Sequence, residues 1–287
     1  MDANAVIEVL SIGVGLSMQD FGRSQWRRYG VPPGGVMDRF SAAHANELLG
    51  NRADAPVLEV LLQGARLRFL RPTWVALAGA DLGCMMEPWT ARKLQAGEVL
   101  EFRGGSTGLW AYLAVPGGFV VDEWFGSASV DTRNGIGDSL KSGSILCTSL
   151  RESKFSVDGV VRRISLPEIR REFGSAMVFE LLPGPQFDMF STAAKRQLTE
   201  ADWQVSARSD RTGYRLEGPV LEVPDSIVSE PVLPGSFQVP GSGQPIVTQV
   251  DGPTVGGYAK IAVMRVVDLD WLAQCRPGTQ LRFRWAD

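Results

Sequence analysis

The chain has 287 residues, 44% of them hydrophobic and 21% charged, with a formal net charge of -3. That length gives a prior of about two domains, and the balance excludes long disorder and a basic surface built for nucleic acid or anionic lipid. Cys84, Cys147 and Cys275 are too few and too far apart to read as a disulfide framework, which fits a reducing cytosol.

The opening segment MDANAVIEVL has an early Asp and Glu and no basic stretch, so it does not read as a secretory signal. The most apolar window, Trp74 to Met86, carries Asp81 and is shorter than the about 18 residues a membrane-spanning helix needs. The expectation is a cytoplasmic protein that contacts neither membrane nor nucleic acid.

Glycine and proline recur through the whole chain and separate short apolar runs, the punctuation of an all-β architecture. The predicted strands run Val6–Ser11, Val57–Leu62, Ala65–Phe69, Trp74–Ala78, Val99–Arg103 and Trp110–Val115, with a hairpin at Gln63-Gly64. Before them stand Asp20-Phe-Gly-Arg23 and Arg27-Arg28-Tyr29-Gly-Val-Pro-Pro-Gly-Gly-Val-Met-Asp38. In that cluster Arg23 and Arg28 are candidates to hold an anion, with Asp20 orienting one of them. Asp38 is placed to cap a helix from Arg39 to Leu49 that closes on Gly50-Asn51. His44, the chain's single histidine, falls on that helix and reads as structural. With scattered cysteines it excludes a multi-ligand His/Cys metal site.

The pairs Arg162-Arg163 and Arg170-Arg171 flank apolar residues and read as solvated faces. Ser165-Leu-Pro-Glu168 is a capping box that opens a short connector helix reaching Phe173. It divides the chain into an N-terminal β-barrel domain over 1–164, a connector over 165–176 and a C-terminal barrel over 177–287. A strand Met177–Leu182, a helix Phe190–Leu198 and a helix Leu269–Gln274 opened by Asp268 follow. Gly97-Glu-Val-Leu-Glu-Phe-Arg103 and Gly278-Thr-Gln-Leu-Arg-Phe-Arg284 share a spacing that two related barrels would produce.

Unusual chemistry is densest between Ser209 and Lys260. Ser209-Asp-Arg-Thr-Gly-Tyr-Arg-Leu-Glu-Gly218 reads either as a surface turn with an Asp–Arg pair or as a guanidinium fork, Arg211 or Arg215, oriented by Tyr214 and Glu217 toward a carboxylate or phosphate. Ser229 to Pro245 is a stiff Pro/Gly path carrying Ser229, Glu230, Gln238 and Gln244. Its amides suit an amide or ureido ligand, or else satisfy the loop's own backbone. Val247 to Lys260 reads as a strand ending at Asp251, then Gly256-Gly257-Tyr258. There Lys260 is placed to stabilise an oxyanion and Asp251 to hold it or act as a base, against the alternative of a strand-flanking salt bridge.

No Gly-x-x-x-x-Gly-Lys-Ser/Thr loop and no Gly-x-Ser-x-Gly elbow occur. In Ala262-Val-Met-Arg265 an arginine stands where covalent biotin attachment needs lysine.

Taken in order, DFGRSQWRRYGVPPGGVMD, LLGN, LAGADLG, YLAVPGGF, LLPGPQ, SDRTGYRLEG, SEPVLPGSFQVPGSGQPIV, GGYAKIAV and DLDWLAQCRPG resemble the biotin-dependent carboxyltransferase-like family. Its members are known as the C-type subunit of 5-oxoprolinase, allophanate hydrolase subunit 2 or KipI antagonist. The resemblance covers nearly the whole chain and implies a mainly β fold of two cyclophilin-like β-barrel domains with a few short helices. It also implies a companion subunit of the allophanate hydrolase subunit 1 or KipI type and a third protein, the three together hydrolysing 5-oxo-L-proline to L-glutamate with ATP. Such a chain is a hydrolase subunit, active only with its partners, and uses ATP through the complex.

On that basis the expected catalytic residues are Asp251, Lys260 and Glu217, with Asp251 or Glu217 positioning water. Expected substrate contacts come from Arg211, Tyr214, Arg215, Ser229, Glu230, Gln238, Gln244, Tyr258, Arg28, Tyr29 and Asp38. Alternative readings are a carboxyltransferase acting on urea or a related amide, its biotin supplied by another chain, and a regulatory antagonist of a kinase inhibitor. The chain departs from the family pattern at Thr212, where Met is usual, and at Asp251-Gly-Pro-Thr-Val-Gly-Gly257, where Asp-Arg-Gln-Thr-Thr-Gly-Gly is usual. It departs again at Ser127-Ala-Ser-Val-Asp131, where Ser-Arg-Ser-Thr-Asp is common.

Overall fold

The computed structural model describes residues 4–149, 162–163, 171–174, 177–225 and 227–286. It is mainly β with short helices, and the chain divides into two units, Met1–Arg23 with Gly34–Phe173 and Ser24–Pro33 with Gly174–Asp287. The expected helix at Ser165 and the boundary at residue 164 lie outside the described residues.

The first unit contains two sheets around a shared core. One runs, in spatial order, Val99–Glu101, Ala65–Phe69, Ala5–Ile12, Ile145–Thr148 and Phe119–Val120. The other runs Arg162–Arg163, Thr90–Leu94, Thr73–Gly79, Trp110–Ala114, Val57–Leu61 and Gly15–Gln19. Ala65–Phe69 alternates strictly, so Leu67 and Phe69 enter the core while Arg66 and Arg68 face out. Thr73–Gly79 is buried at every position, as a central strand covered on both faces must be.

The expected hairpin at Gln63-Gly64 does not form. Val57–Leu61 and Ala65–Phe69 belong to different sheets, and Leu62 and Gly64, both at positive φ, turn the chain from one to the other. Gln63 O accepts from Val14 N–H at 2.9 Å, and a Cβ on Gly13 would stand 2.3 Å from Ala65 N, so the turn packs on the 13–14 turn and not on its own flanks.

Asp38 caps the helix Arg39–Glu47 as its sequence position implied. Its backbone is extended, and Oδ1 accepts from the Ser41 N–H at 3.0 Å. Arg171, expected on a solvated face, is instead mostly buried, with Nη1 3.5 Å from Asp38 Oδ1 and its guanidinium 3.9 Å from the Phe40 ring centroid. A buried carboxylate draws a cation that the apolar neighbours of Arg171 alone did not reveal.

The second unit is a closed barrel of Met177–Pro183, Ala259–Met264, Ser236–Val239, Ile246–Thr248, Gly213–Glu217, Trp203–Val205 and Gln280–Trp285. Closure comes from the parallel pairing of Met177–Pro183 with Gln280–Trp285, which leaves the barrel no free edge. Its interior holds Phe179, Leu181, Trp203, Val205, Leu216, Phe237, Ile261, Leu281 and Phe283, with the Phe237 and Phe283 rings edge to face at 5.1 Å. The two Gly-x-x-Leu-x-Phe-Arg segments each contribute a buried Leu and Phe, Leu100 and Phe102 in one unit and Leu281 and Phe283 in the other.

Two helices begin elsewhere than expected. Ser191 caps Thr192–Glu200 through its hydroxyl, which accepts from Ala194 N–H at 3.2 Å, so that helix starts two residues later than the apolar pattern implied. The last helix spans Val266–Ala273 and begins before Asp268, which takes a place in its first turn where a carboxylate suits the helix dipole. Among the described residues no helix is long and apolar enough to cross a membrane.

Candidate functional site

Lys260 lies on Ala259–Met264 and is 2% exposed, a position an ammonium occupies only when its charge is compensated. The strand reaches that position through a bulge. Phe237 is in register with Ala262 but Gln238 with Lys260, so Lys260 and Ile261 are both buried where strict alternation would expose one of them. The ammonium donates to Oε1 of Glu230, and Pro231 O lies at 3.5 Å. Glu230 sits on the two-stranded ribbon formed by Glu230–Pro231 and Val255–Gly256. Its carboxyl is held below the usual range, first by the hydrogen bond from Lys260 and then by one from Gln186, against the opposing effect of burial. It is therefore an ionised acceptor at neutral pH.

Gln238, buried on Ser236–Val239, donates from Nε2 to Thr248 Oγ1 at 2.8 Å. A Cβ on Gly256 would stand 2.8 Å from Gln238 Oε1, so the ribbon can lie against this amide only because residue 256 has no side chain.

Arg211 and Asp251 form a second ion pair. Nε donates to Oδ2 at 2.6 Å and Nη2 to Oδ1 at 3.1 Å, a two-point fork on a carboxylate that is 7% exposed. The backbones reinforce it, since Asp251 N–H donates to Arg211 O at 3.0 Å and Gln249 N–H to Thr212 O at 3.1 Å. Asp251 stands in the turn after Ile246–Thr248 and not at the end of that strand. Thr212, where the related pattern has Met, donates from Oγ1 to Asp210 Oδ1 at 2.5 Å and so tightens the turn that carries Arg211.

Other expected residues are placed differently. Tyr214 faces the barrel interior and donates to Ala273 O at 2.7 Å. Arg215 and Glu217 alternate with it and face outward, Glu217 accepting from Ser206 Oγ with Arg208 at 3.9 Å. Gln244 satisfies both backbone groups of Gly218, at 3.0 and 2.9 Å, which is the loop-satisfying role its sequence allowed. Ser229, which precedes Glu230, and Tyr258, two residues before Lys260, are both exposed. Arg28 stacks over the exposed Tyr29 ring at 4.8 Å, and the neighbouring Arg27 donates to Val232 O.

Asp38 belongs to the interior of the first unit. It accepts from Ser41, and its N–H donates to the Tyr112 hydroxyl at 2.8 Å, while that hydroxyl donates to Glu59 Oε2 at 3.0 Å. Burial first, and then the charges of Glu59 and Asp38, push the Tyr112 phenol well above its ordinary value and keep it protonated. Asp20 accepts from Ser127 Oγ and Ser129 Oγ, both at 2.6 Å, and from Ala128 N–H at 2.8 Å. His44 bonds Phe40 O at 2.7 Å through Nδ1, in keeping with a structural role.

One residue absent from the expected site matters to it. Gln186 is bonded to both Glu230 and Lys260, and only the Gly-Pro-Gln sequence after a strand signalled it. Within the first unit, Glu59, a lone carboxylate inside the apolar strand Val57–Leu61, accepts from Met37 N–H at 2.7 Å and from the Tyr112 hydroxyl.

Comparison with known proteins gives this geometry a family. The carboxyltransferase domain, subdomain A and B, matches residues 29–285. The C-type 5-oxoprolinase subunit of Escherichia coli is 33% identical over 97% of this chain and 90% of its own length, and that of Haemophilus influenzae 32% identical with the same coverage. The crystallised protein TTHA0988 superposes with a TM-score of 0.88 at 35% identity over 98% of this chain, which spans 56% of that protein's length. The Kluyveromyces lactis urea carboxylase superposes with a TM-score of 0.89 at 27% identity, this chain spanning 28% of its length. With the family match running through both units, the chain belongs to the carboxyltransferase domain family, subdomains A and B.

Proposed function

We propose that this chain is the C-type subunit of a cytoplasmic, ATP-dependent 5-oxoprolinase complex that hydrolyses 5-oxo-L-proline to L-glutamate. Its partners are a companion of the allophanate hydrolase subunit 1 or KipI type and a third subunit. The observation that carries the reading is the Lys260–Glu230 pair, a buried ammonium on a half-exposed carboxylate, in a chain with relatives named as C-type subunits of 5-oxoprolinase at 33% and 32% identity over nearly its whole length. A lactam offers one N–H donor and one carbonyl acceptor. The ionised Glu230 is an acceptor for that N–H, and Ser229 and Tyr258, exposed residues close in the chain to Glu230 and Lys260, carry hydroxyls that can donate to the ligand's oxygens. Arg211 holds Asp251 in place, so Asp251 shapes the neighbouring loop or orients a water.

Among the described residues the cations of this site are already paired, Lys260 with Glu230 and Arg211 with Asp251. That set does not fit a triphosphate, and we assign ATP to a companion protein, with no step on this chain routed through it.

Reconstitution tests the assignment. Glutamate forms from 5-oxo-L-proline when this chain, both companions and ATP are present, and not when any one is omitted. No glutamate from the full set removes the proposal. The likeness to urea carboxylase favours a second reading, transfer of a carboxyl group to urea or a similar amide from biotin on another chain. Inhibition of the activity by avidin would favour that reading over hydrolysis.

A further inference from the structure

Gln186 contacts Lys260 and Glu230 at once. It follows Met177–Pro183 across the turn Gly184-Pro185, and a Cβ on Gly184 would stand 2.3 Å from Lys260 O, so the turn presses directly on the strand that carries Lys260. Gln186 N–H donates to Lys260 O at 3.2 Å, and its side-chain Oε1 accepts from Lys260 N–H at 3.1 Å. Its Nε2 donates to Oε1 of Glu230 at 2.8 Å. Lys260 Nζ donates to that same Oε1. Both donors therefore sit on one carboxylate oxygen, and Oε2 of Glu230 has no hydrogen-bond partner among the described residues, on a side chain that is 36% exposed.

We infer that Gln186 is a positioning residue for this site: by fastening Oε1 of Glu230 to the Lys260 strand, it leaves Oε2 as the acceptor for a ligand N–H. The inference rests on the proposed function for its substrate and adds a rule of selection, that the site takes lactams or ureides and rejects lactones, which are isosteric but lack the N–H. Only a side chain with both an acceptor and a donor can join a backbone N–H to a carboxylate in this way, and glutamine supplies both at the required length. Glutamate would set a second negative charge against Glu230. Methionine keeps the volume and loses both bonds. Lys260 is the charged group bonded to Glu230 and Gln186 the neutral one.

The test is a carbon NMR titration of the full chain labelled at glutamate Cδ, with the Glu230 signal identified by its loss in Glu230→Gln. The wild-type midpoint should lie below that of ordinary glutamates, and Gln186→Glu should raise it by about one pH unit or more, as a like charge in contact requires. Gln186→Met should raise it less. In the reconstituted complex both variants should lower kcat for 5-oxo-L-proline by roughly tenfold to a hundredfold, the loss expected for a hydrogen bond to a charged group, and Gln186→Glu should move the acidic limb of the pH profile upward. The lactone analogue should bind wild type at least about tenfold more weakly than the lactam.

An unmoved Glu230 midpoint in both variants overturns the positioning role, and equal binding of lactone and lactam overturns the selection rule. A complex without 5-oxoproline turnover removes the substrate assignment, and the carbon titration then decides the role of Gln186 alone.

Discussion

Lys260 and Glu230 are unequal partners: the lysine side chain is 3% exposed and the carboxylate 36%, so water can replace one counter-charge far better than the other. Removing the carboxylate strands a buried ammonium, whereas removing the ammonium leaves a carboxylate that water can reach. Glu230→Gln should therefore destabilise the chain by about 2–4 kcal/mol and Lys260→Met by about half as much. Urea denaturation at neutral pH measures both, and equal losses would show that burial does not govern the pair.

The depressed carboxyl of Glu230 gives this contribution a pH dependence. A group whose folded pKa lies below its unfolded value stabilises the fold above the unfolded value, near 4.3 for glutamate, and that stability is lost as pH falls through the folded value. The stability gap between wild type and Glu230→Gln should hold steady from pH 7 to about 5 and shrink at lower pH. A gap that stays constant to pH 3 would contradict the ionised pair.

Gly184 is the contact on which the Gln186 turn depends. An added methyl would meet Lys260 O at 2.3 Å and Ala262 N at 2.8 Å, both backbone atoms that cannot rotate away. Gly184→Ala should cost about 2–4 kcal/mol in chemical denaturation, the scale of overpacking a closed backbone contact. An alanine tolerated without loss would mean that the turn stands off the strand.

The hydroxyl of Tyr214 is directed to Ala273 O inside the barrel. Tyr214→Phe should reduce stability by about 0.5–1.5 kcal/mol and leave the KM of the assembled complex unchanged. A raised KM at unchanged stability would instead place Tyr214 at the ligand.

Much of the fold was legible because strand periodicity and caps are local. The alternation of Ala65–Phe69 and the cap at Asp38 depend on a few neighbouring residues. Long-range pairing was less visible. The spacing at Gln63-Gly64 is that of a hairpin, and only packing of the 13–14 turn against it sends the flanking strands into different sheets. Within the site, the sequence marked Glu230, Lys260, Arg211 and Asp251 as unusual, yet nothing local pairs Lys260 with Glu230, 30 positions away, or Arg211 with Asp251, 40 away. Gln186 was harder still, since it lies 74 positions from the lysine whose backbone it holds and its neighbours read as an ordinary turn. Arg171 was misread because its sequence neighbours are not the Asp38 and Phe40 it packs against.

The proposed function puts the chemistry of this chain beside the Lys260–Glu230 pair. The most direct measurement is glutamate release from 5-oxo-L-proline by the complex assembled with Lys260→Met, after co-purification has shown that the variant still binds its companions. Turnover should fall at least about a hundredfold while assembly is retained. Wild-type turnover from a fully assembled Lys260→Met complex would contradict the account.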